Sequence, residues 1–352
     1  MTIRALAVTP GQPNSGALIT AAAPEPAPGE VVLEPVLVGV CGTDREILGG
    51  GYGEAPPGAD RLVLGHEAVA RLATASAGAD AGQLVVPIVR RPDPVPCPNC
   101  AAGEWDMCRN GRYTEHGIKG LDGFMADQVA VAADHFVAVP DSLGELAVLT
   151  EPTSIVAKAW HEIDRISARA SRRPRTVLVT GAGPVGLLAA LLARQRGLET
   201  HVLDRVTDGP KPALVADLGA EYHTGRIADA GPEADVVVEC TGVGSVVLDA
   251  IEQNSPTGIV CLAGISSGRR TIDLDATALN RTIVLENKVV FGTVNANRRH
   301  YAAAIEALSA ADADWLRRVI TRRVPLEHWQ DALNTEDSDV KVVIEVNSPQ
   351  AG

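Results

Sequence analysis

The stretch Thr176-Val-Leu-Val-Thr-Gly-Ala-Gly-Pro-Val-Gly-Leu-Leu188 decides the fold. An apolar, β-branched run from Thr176 to Thr180 leads directly into Gly181-Ala-Gly-Pro-Val-Gly186, and Pro184 then opens an apolar helix predicted to reach Arg196. In such a strand–turn–helix the first glycine permits the tight turn and the second lets the backbone approach a diphosphate. The third lets the helix pack closely on the strand. Gly181, Gly183, Pro184, Val185 and Gly186 are therefore the candidate diphosphate-binding residues, facing the free N–H groups and positive dipole of the helix start. A glycine turn alone can serve packing only. Here an acid, Asp204, closes the next strand (Thr200 to Asp204), where a carboxylate would meet the adenosine ribose hydroxyls. Asp204 repels a 2′-phosphate and leans toward NAD, whereas Arg205 beside it can pair with that phosphate and admit NADP. The choice between NAD and NADP stays open.

Outward from this turn, Asp235–Cys240, Gly258–Ala263 and Val289–Thr293 read as further strands, and Lys211 to Leu218 as a helix. Their apolar runs are continuous, not alternating, so both faces are buried, as in a doubly wound parallel sheet. Thr241, next after one of these strands, joins the cofactor-binding candidates. Cys240 and Cys261 fall in these strands and are expected to be core. The first 150 residues differ: runs such as Val31–Val40, Leu84–Val89 and Met125–Val131 lie between Pro/Gly-rich turns and read as all-β. After Asn295 come helices around 300–309 and 326–333, then a closing strand, Val340–Val346, that needs a sheet to join. The expected organisation is α/β: residues 1–155 and 292–352 form a discontinuous, β-rich catalytic domain. A Rossmann dinucleotide-binding domain, 156–291, is inserted into it.

Composition limits the partners. The 352 residues carry 31 Lys+Arg against 44 Asp+Glu, a formal net charge of −13, and only 3% aromatics. Nucleic acid and anionic membrane both require a basic footprint, and single strands require a stacking platform, so neither is expected as a partner. The apolar run Val185–Ala193 is too short to span a bilayer, and the N-terminus reads as a strand, not a signal peptide. Six cysteines, three of them clustered, point to reduced thiols and a cytoplasmic location.

Two constellations carry metal chemistry. Cys41-Gly-Thr-Asp44 and Gly65-His-Glu67 each follow an apolar run; together they offer a thiolate, an imidazole and a carboxylate, suitable ligands for a zinc with an exchangeable position. Singly, Cys41 could be a small core residue and His66 an ordinary side chain; beside a dinucleotide domain the pair becomes a site. The second constellation, Cys97-Pro-Asn-Cys100 followed by Cys108, suggests a structural zinc that needs a fourth ligand, with Asp93 the nearest candidate. The bland alternative is three free thiols.

In this order along the chain, these elements resemble the zinc-dependent medium-chain alcohol dehydrogenases. The segments Val38–Ile47, Leu62–Glu67, Gly111–Ile118, Leu149–Pro152 and Gly292–Asn297 resemble the glucose (aldose) 1-dehydrogenase branch. The resemblance implies a GroES-like catalytic domain and a catalytic zinc on Cys41, His66 and Glu67, with Glu151 as a fourth, mobile ligand. It further implies Thr43 as the hydroxyl that starts proton release, Glu115 as a sugar-hydroxyl acceptor, and Asn295 or Asn297 near the nicotinamide and sugar. His116 and Asn297 are further sugar-contact candidates, and the relatives are dimers or tetramers. There are departures: Pro94 stands at the family's first structural-zinc ligand, Ala70 replaces a glycine, Arg90 replaces a smaller amide, and Ile155 replaces a polar residue.

The expected reaction is hydride transfer from a sugar hemiacetal carbon to NAD(P), giving the lactone. A polyol, cyclitol or other secondary-alcohol dehydrogenase would keep the same zinc and cofactor sites and differ in Arg90, Glu115 and Ile155. A non-catalytic nucleotide sensor is the reading from another class; it would have no need of Cys41, Thr43, His66, Glu67 and Glu151.

Overall fold

The computed structural model describes residues 1–76, 78–231, 233–266 and 271–347. The end of the expected catalytic domain, 348–352, lies outside them. The chain divides into two compact units: Met1–Glu151 together with the segment from Asn295 onward, and Pro152–Val294.

In the second unit a six-stranded sheet runs in the order Glu221–His223, Glu199–Leu203, Thr176–Thr180, Val236–Glu239, Ile259–Leu262, Val289–Gly292, with every neighbour parallel. The central strand Thr176–Thr180 is buried throughout, as its unbroken apolar sequence requires. Helix Pro184–Gln195 packs from Gly186 to Ala193 without an exposed residue. The helices Pro210–Asp217, Gly244–Gln253 and Ala276–Leu285 follow the strands Glu199–Leu203, Val236–Glu239 and Ile259–Leu262 in turn. Cys261 is buried in its strand, whereas Cys240 lies just past the end of Val236–Glu239 and is partly exposed, not a core residue.

The first unit is built on a larger sheet ordered Phe136–Ala138, Leu84–Pro87, Glu67–Leu72, Glu30–Gly39, Lys341–Glu345, Ile320–Pro325. The closing strand finds its sheet here, antiparallel to Glu30–Gly39 and parallel to Ile320–Pro325. A core of Leu6, Leu33, Leu64, Phe124, Met125 and Ile344 fills the space beneath it. The all-β reading of this region needs correction at two functional places: Gly42–Leu48 is a helix, and a short helix, Pro98–Ala101, carries Cys100 just after Cys97. Ile47 buries its side chain while Asp44 closes the first turn by accepting the Cys41 N–H at 2.9 Å.

Candidate active site

Sheet register assembles the first constellation. Gly39 pairs with Glu67 across the antiparallel ladder, so the residues just beyond each strand end, Cys41 and His66, emerge side by side. The ligand atoms of Cys41, His66 and Glu67 lie within 4.8 Å of one another. Buried Asp44 accepts the Gly65 N–H at 3.3 Å through Oδ1, and that oxygen stands 3.5 Å from His66 Nδ1. A carboxylate behind the imidazole fixes its ring orientation. Thr43 Oγ1, two residues on in the first turn of the helix that Cys41 caps, is 3.9 Å from Cys41 Sγ.

The electrostatics favour a cation at this place. Burial disfavours a charged His66, but the charge and hydrogen bonds of Asp44 and Cys41 more than offset it and hold its pKa well above the ordinary value. Burial, and then the Glu67 charge, push Glu151 up to about 8, with Glu115 adding to the repulsion. Glu67 Oε2 meets Lys341 Nζ in a buried ion pair, yet neither that oxygen nor His66 Nδ1 has a hydrogen bond of good geometry. Orphaned donor atoms and clustered carboxylates fit a bound zinc. Lys341, which also donates to the Val40 carbonyl at 3.1 Å, is a site residue that sequence reasoning missed. Gly39 makes room for it: a Cβ there would stand 2.3 Å from Glu67 Oε2 and 2.7 Å from Lys341 Cε.

Near these groups Glu115 is buried and held through one oxygen. Its Oε1 accepts Arg90 Nε at 3.0 Å and Asn295 Nδ2 at 2.6 Å, with Arg90 Nη2 at 2.9 Å. Arg90 also donates to the Asp106 carbonyl at 3.2 Å and lies 3.6 Å from the Tyr113 ring centroid. The departure at Arg90 is thus a buried counter-charge for Glu115. Asn295, at φ 60°, is spent on orienting Glu115 and accepts the Ala296 N–H at 2.8 Å.

Two expected sugar contacts are corrected. Asn297 caps helix Arg298–Ser309: its carbonyl accepts the Arg299 N–H at 3.1 Å and its amide donates to Asp106 at 2.7 Å, which commits it to structure. His116 is buried against Phe124, with Nδ1 on the Asp122 carbonyl at 2.6 Å and Nε2 3.0 Å from Arg91. Burial, then the Arg91 charge, lower its pKa to about 3.

The second constellation is Cys97, Cys100 and Cys108, with Cys97 and Cys100 sulfurs 3.6 Å apart. Backbone N–H groups, that of Arg109 first, lower Cys97 to about 6, while burial and the neighbouring thiols raise Cys100 to about 11. Three thiols this close, with Cys97 already drawn toward the thiolate, suit a zinc that would hold all three as thiolates. Asp93 is not the fourth member. Its carboxylate accepts the Val95 N–H at 2.8 Å, Asn110 Nδ2 at 2.8 Å and Arg112 Nε at 3.3 Å, and so ties the loop together instead.

In the other unit, the glycine turn has the geometry its sequence demands. Gly181 adopts φ +89°, and a Cβ on Gly186 would fall 1.7 Å from the Gly181 carbonyl oxygen. A Cβ on Gly183 would meet no protein atom within 4 Å, and no side chain caps the helix that starts there. That open cradle, lined by unused N–H groups of the first turn, fits a diphosphate. Asp204 accepts the Ala182 N–H at 2.6 Å and the Val206 N–H at 3.0 Å, and Lys211 Nζ stands 3.8 Å from it; Arg205 is exposed. Lys211 is a second residue that sequence reasoning passed over. Thr241 accepts the Val243 N–H at 3.0 Å and hydrogen-bonds buried Glu239, which also takes the Gly242 N–H. Among the described residues no helix is long and apolar enough to cross a membrane.

A parallel nucleotide-type sheet and a thiolate–imidazole–carboxylate cluster in a β-rich unit define a medium-chain, zinc-associated dehydrogenase. Residues 27–141 match the alcohol dehydrogenase GroES-like domain, and residues 144–346 match the glucose dehydrogenase C-terminus. The chain is 42% identical to glucose 1-dehydrogenase of Thermoproteus tenax and 39% identical to that of Methanocella arvoryzae, each alignment covering 98% of this chain and 100% of the relative. It superposes with a TM-score of 0.91 on Haloferax mediterranei glucose dehydrogenase in complex with NADP, Zn and gluconolactone, at 30% identity over 98% of this chain and 100% of that one. The chain therefore belongs to the glucose dehydrogenase family of the zinc-dependent medium-chain alcohol dehydrogenases.

Proposed function

We propose that this protein passes a hydride from C1 of glucose or a closely related aldose to NAD or NADP, releasing the lactone. The observation that carries this reading is the convergence of Cys41, His66 and Glu67 beside Glu151 and Glu115 in a chain of this family. Cys41, His66 and Glu67 hold the zinc, and Glu151 is a fourth, mobile ligand. The zinc, when bound, acts as a Lewis acid on the sugar C1 hydroxyl. Asp44 keeps His66 oriented, and Lys341 balances part of the negative charge of Glu67. Thr43 takes the hydroxyl proton and relays it toward solvent. Glu115, fixed by Arg90 and Asn295, accepts a neighbouring sugar hydroxyl, which gives the buried Arg90–Glu115 pair a role in the site.

In the same reading Gly181, Gly183, Pro184, Val185 and Gly186 cradle the diphosphate and Asp204 takes the ribose. Thr241 flanks the cofactor. Asp204 favours NAD, with exposed Arg205 as the counter-charge that admits NADP. Cys97, Cys100 and Cys108 supply three ligands of a structural zinc. Residues 1–155 with 292–352 act as the catalytic domain and 156–291 as the dinucleotide-binding domain. Free thiols suit the reducing cytoplasm. Helix Ala276–Leu285 buries none of its residues and exposes Val284 and Leu285, which suits a homodimer or homotetramer that covers this face.

The test is a panel of aldoses, polyols and simple alcohols assayed with zinc-loaded protein and each cofactor. Fastest turnover with glucose or a near epimer supports the reading. Preference for an open-chain polyol would move the protein to the secondary-alcohol branch.

A further inference from the structure

Far from the zinc cluster in sequence, the sheet of the second unit brings together three more metal-ligating side chains. Strands Glu199–Leu203 and Glu221–His223 run parallel, with His201 opposite Glu221 and Leu203 opposite His223. Residues two apart on a strand share a face, so Glu221 and His223 project together beside His201. Their donor atoms lie within 4.8 Å of one another. His201 Nδ1 is 2.8 Å from His223 Nε2 and 3.7 Å from Glu221 Oε2, and His223 Nε2 is 3.9 Å from Glu221 Oε1.

We propose that His201, His223 and Glu221 form an additional binding site for a divalent transition metal of the zinc, nickel or copper type. Two imidazoles and a carboxylate suit these borderline-soft ions and not magnesium or calcium, whose ligands are all oxygen. The surroundings orient the ligands. Glu199 Oε1 stands 3.4 Å from His201 Nε2, which places the ring proton on that nitrogen and turns the Nδ1 lone pair into the cluster. Gly231, at φ +90°, closes over the same ring: a Cβ there would sit 3.0 Å from His201 Cε1 and Nδ1, so only glycine leaves the imidazole its position. His201 is nearly enclosed, whereas Glu221 keeps 68% of its side chain exposed, so an ion enters from the Glu221 side.

Two nitrogens at about 2.0 Å from a tetrahedral zinc stand roughly 3.3 Å apart, so binding asks His223 to yield by about half an ångström. It sits on a three-residue edge strand, where such a shift is cheap. The site also reaches the cofactor-binding loop: the His223 carbonyl accepts the Asp204 N–H at 3.1 Å. An ion that clamps Glu221–His223 onto Glu199–Leu203 would therefore steady the backbone of the ribose acid.

The test is zinc equilibrium dialysis with elemental analysis on the purified full chain, for the native protein, His223→Gln and exposed Glu221→Gln, with circular dichroism to establish folding. The native chain is expected to hold one zinc per chain more than His223→Gln, and Glu221→Gln to bind that ion at least tenfold more weakly. Nickel added to native protein carrying only the zinc content of His223→Gln, so that this site is vacant, should raise its melting temperature, with no rise in His223→Gln. Equal zinc content and equal nickel response in the native protein and both folded variants would overturn the proposal, leaving a hydrogen-bonded histidine pair. If His223→Gln fails to fold, Glu221→Gln decides alone: unchanged affinity refutes the site.

Discussion

Replacing Gly183 with alanine separates dinucleotide binding from folding. Gly183 has φ −78° and ψ −175°, extended backbone that alanine adopts freely, and its added methyl meets no protein atom within 4 Å. The unfolded chain loses freedom, so stability should rise by about 0.4–1 kcal/mol. The methyl enters the cradle above the uncapped helix start. Two charge-assisted N–H contacts to the diphosphate, at about 1.5 kcal/mol each, are then lost, roughly a hundredfold in Kd. Gly186→Ala should do the reverse. Its Cβ would fall 1.7 Å from the Gly181 oxygen, so the helix must back away from the turn, a displacement costing about 3 kcal/mol. Thermal melts report the folding arm, and titration of bound NADH or NADPH fluorescence reports the binding arm. Native dinucleotide affinity in Gly183→Ala, or a native melting temperature in Gly186→Ala, would show that the two glycines do not divide binding from folding in this way.

Cys41→Ser and His66→Ala should abolish turnover while leaving dinucleotide Kd within about twofold, since both side chains belong to the first unit; full activity in either variant would remove the zinc role. Asp204→Ala should raise the ratio of kcat/KM with NADP to that with NAD by about tenfold through loss of the 2′-phosphate repulsion, and an unchanged ratio would place the carboxylate away from the ribose. His116 supplies a pH test. Its pKa is lowered on folding to about 3, so its contribution is complete above the unfolded value and is lost as pH falls. Between pH 6.5 and pH 5 the native protein should lose about 2 kcal/mol more stability than His116→Gln. Parallel loss in denaturant titrations of the two would show that His116 is not held neutral.

Much of this architecture was legible because its signals are local. The turn at Gly181–Gly186, the strand before it and the acid after the next strand stand within one short stretch, and each obeys a backbone constraint that no tertiary contact needs to supply. Helix Thr150–Ser167 was less visible: its buried face of Val156, Ala159, Trp160 and Ile163 has helical spacing, but Pro152 sits in its first turn. Cys41, His66 and Glu67 could be named because each ends or begins an apolar run. Lys341 could not, since a lysine in a closing strand reads as solvent-facing. Only the pairing of Val343 with Gly39 carries it beside Glu67. Asn297 and Asp93 illustrate the opposite error. Both have side chains suited to ligands, and both are consumed by their own loops, as a helix cap and as a clamp. Polar residue type signals chemistry, but the backbone groups that compete for it are visible only in three dimensions.

Aldose C1 oxidation at the zinc cluster is the chemistry proposed for this protein. Its most direct test is product analysis by mass spectrometry after zinc-loaded protein is incubated with glucose and NAD or NADP. The expected products are gluconolactone, or the gluconate formed from it, in equal amount to the reduced cofactor, and neither with Cys41→Ser. Protein that holds zinc and dinucleotide yet forms no lactone from glucose or any other aldose would contradict that chemistry.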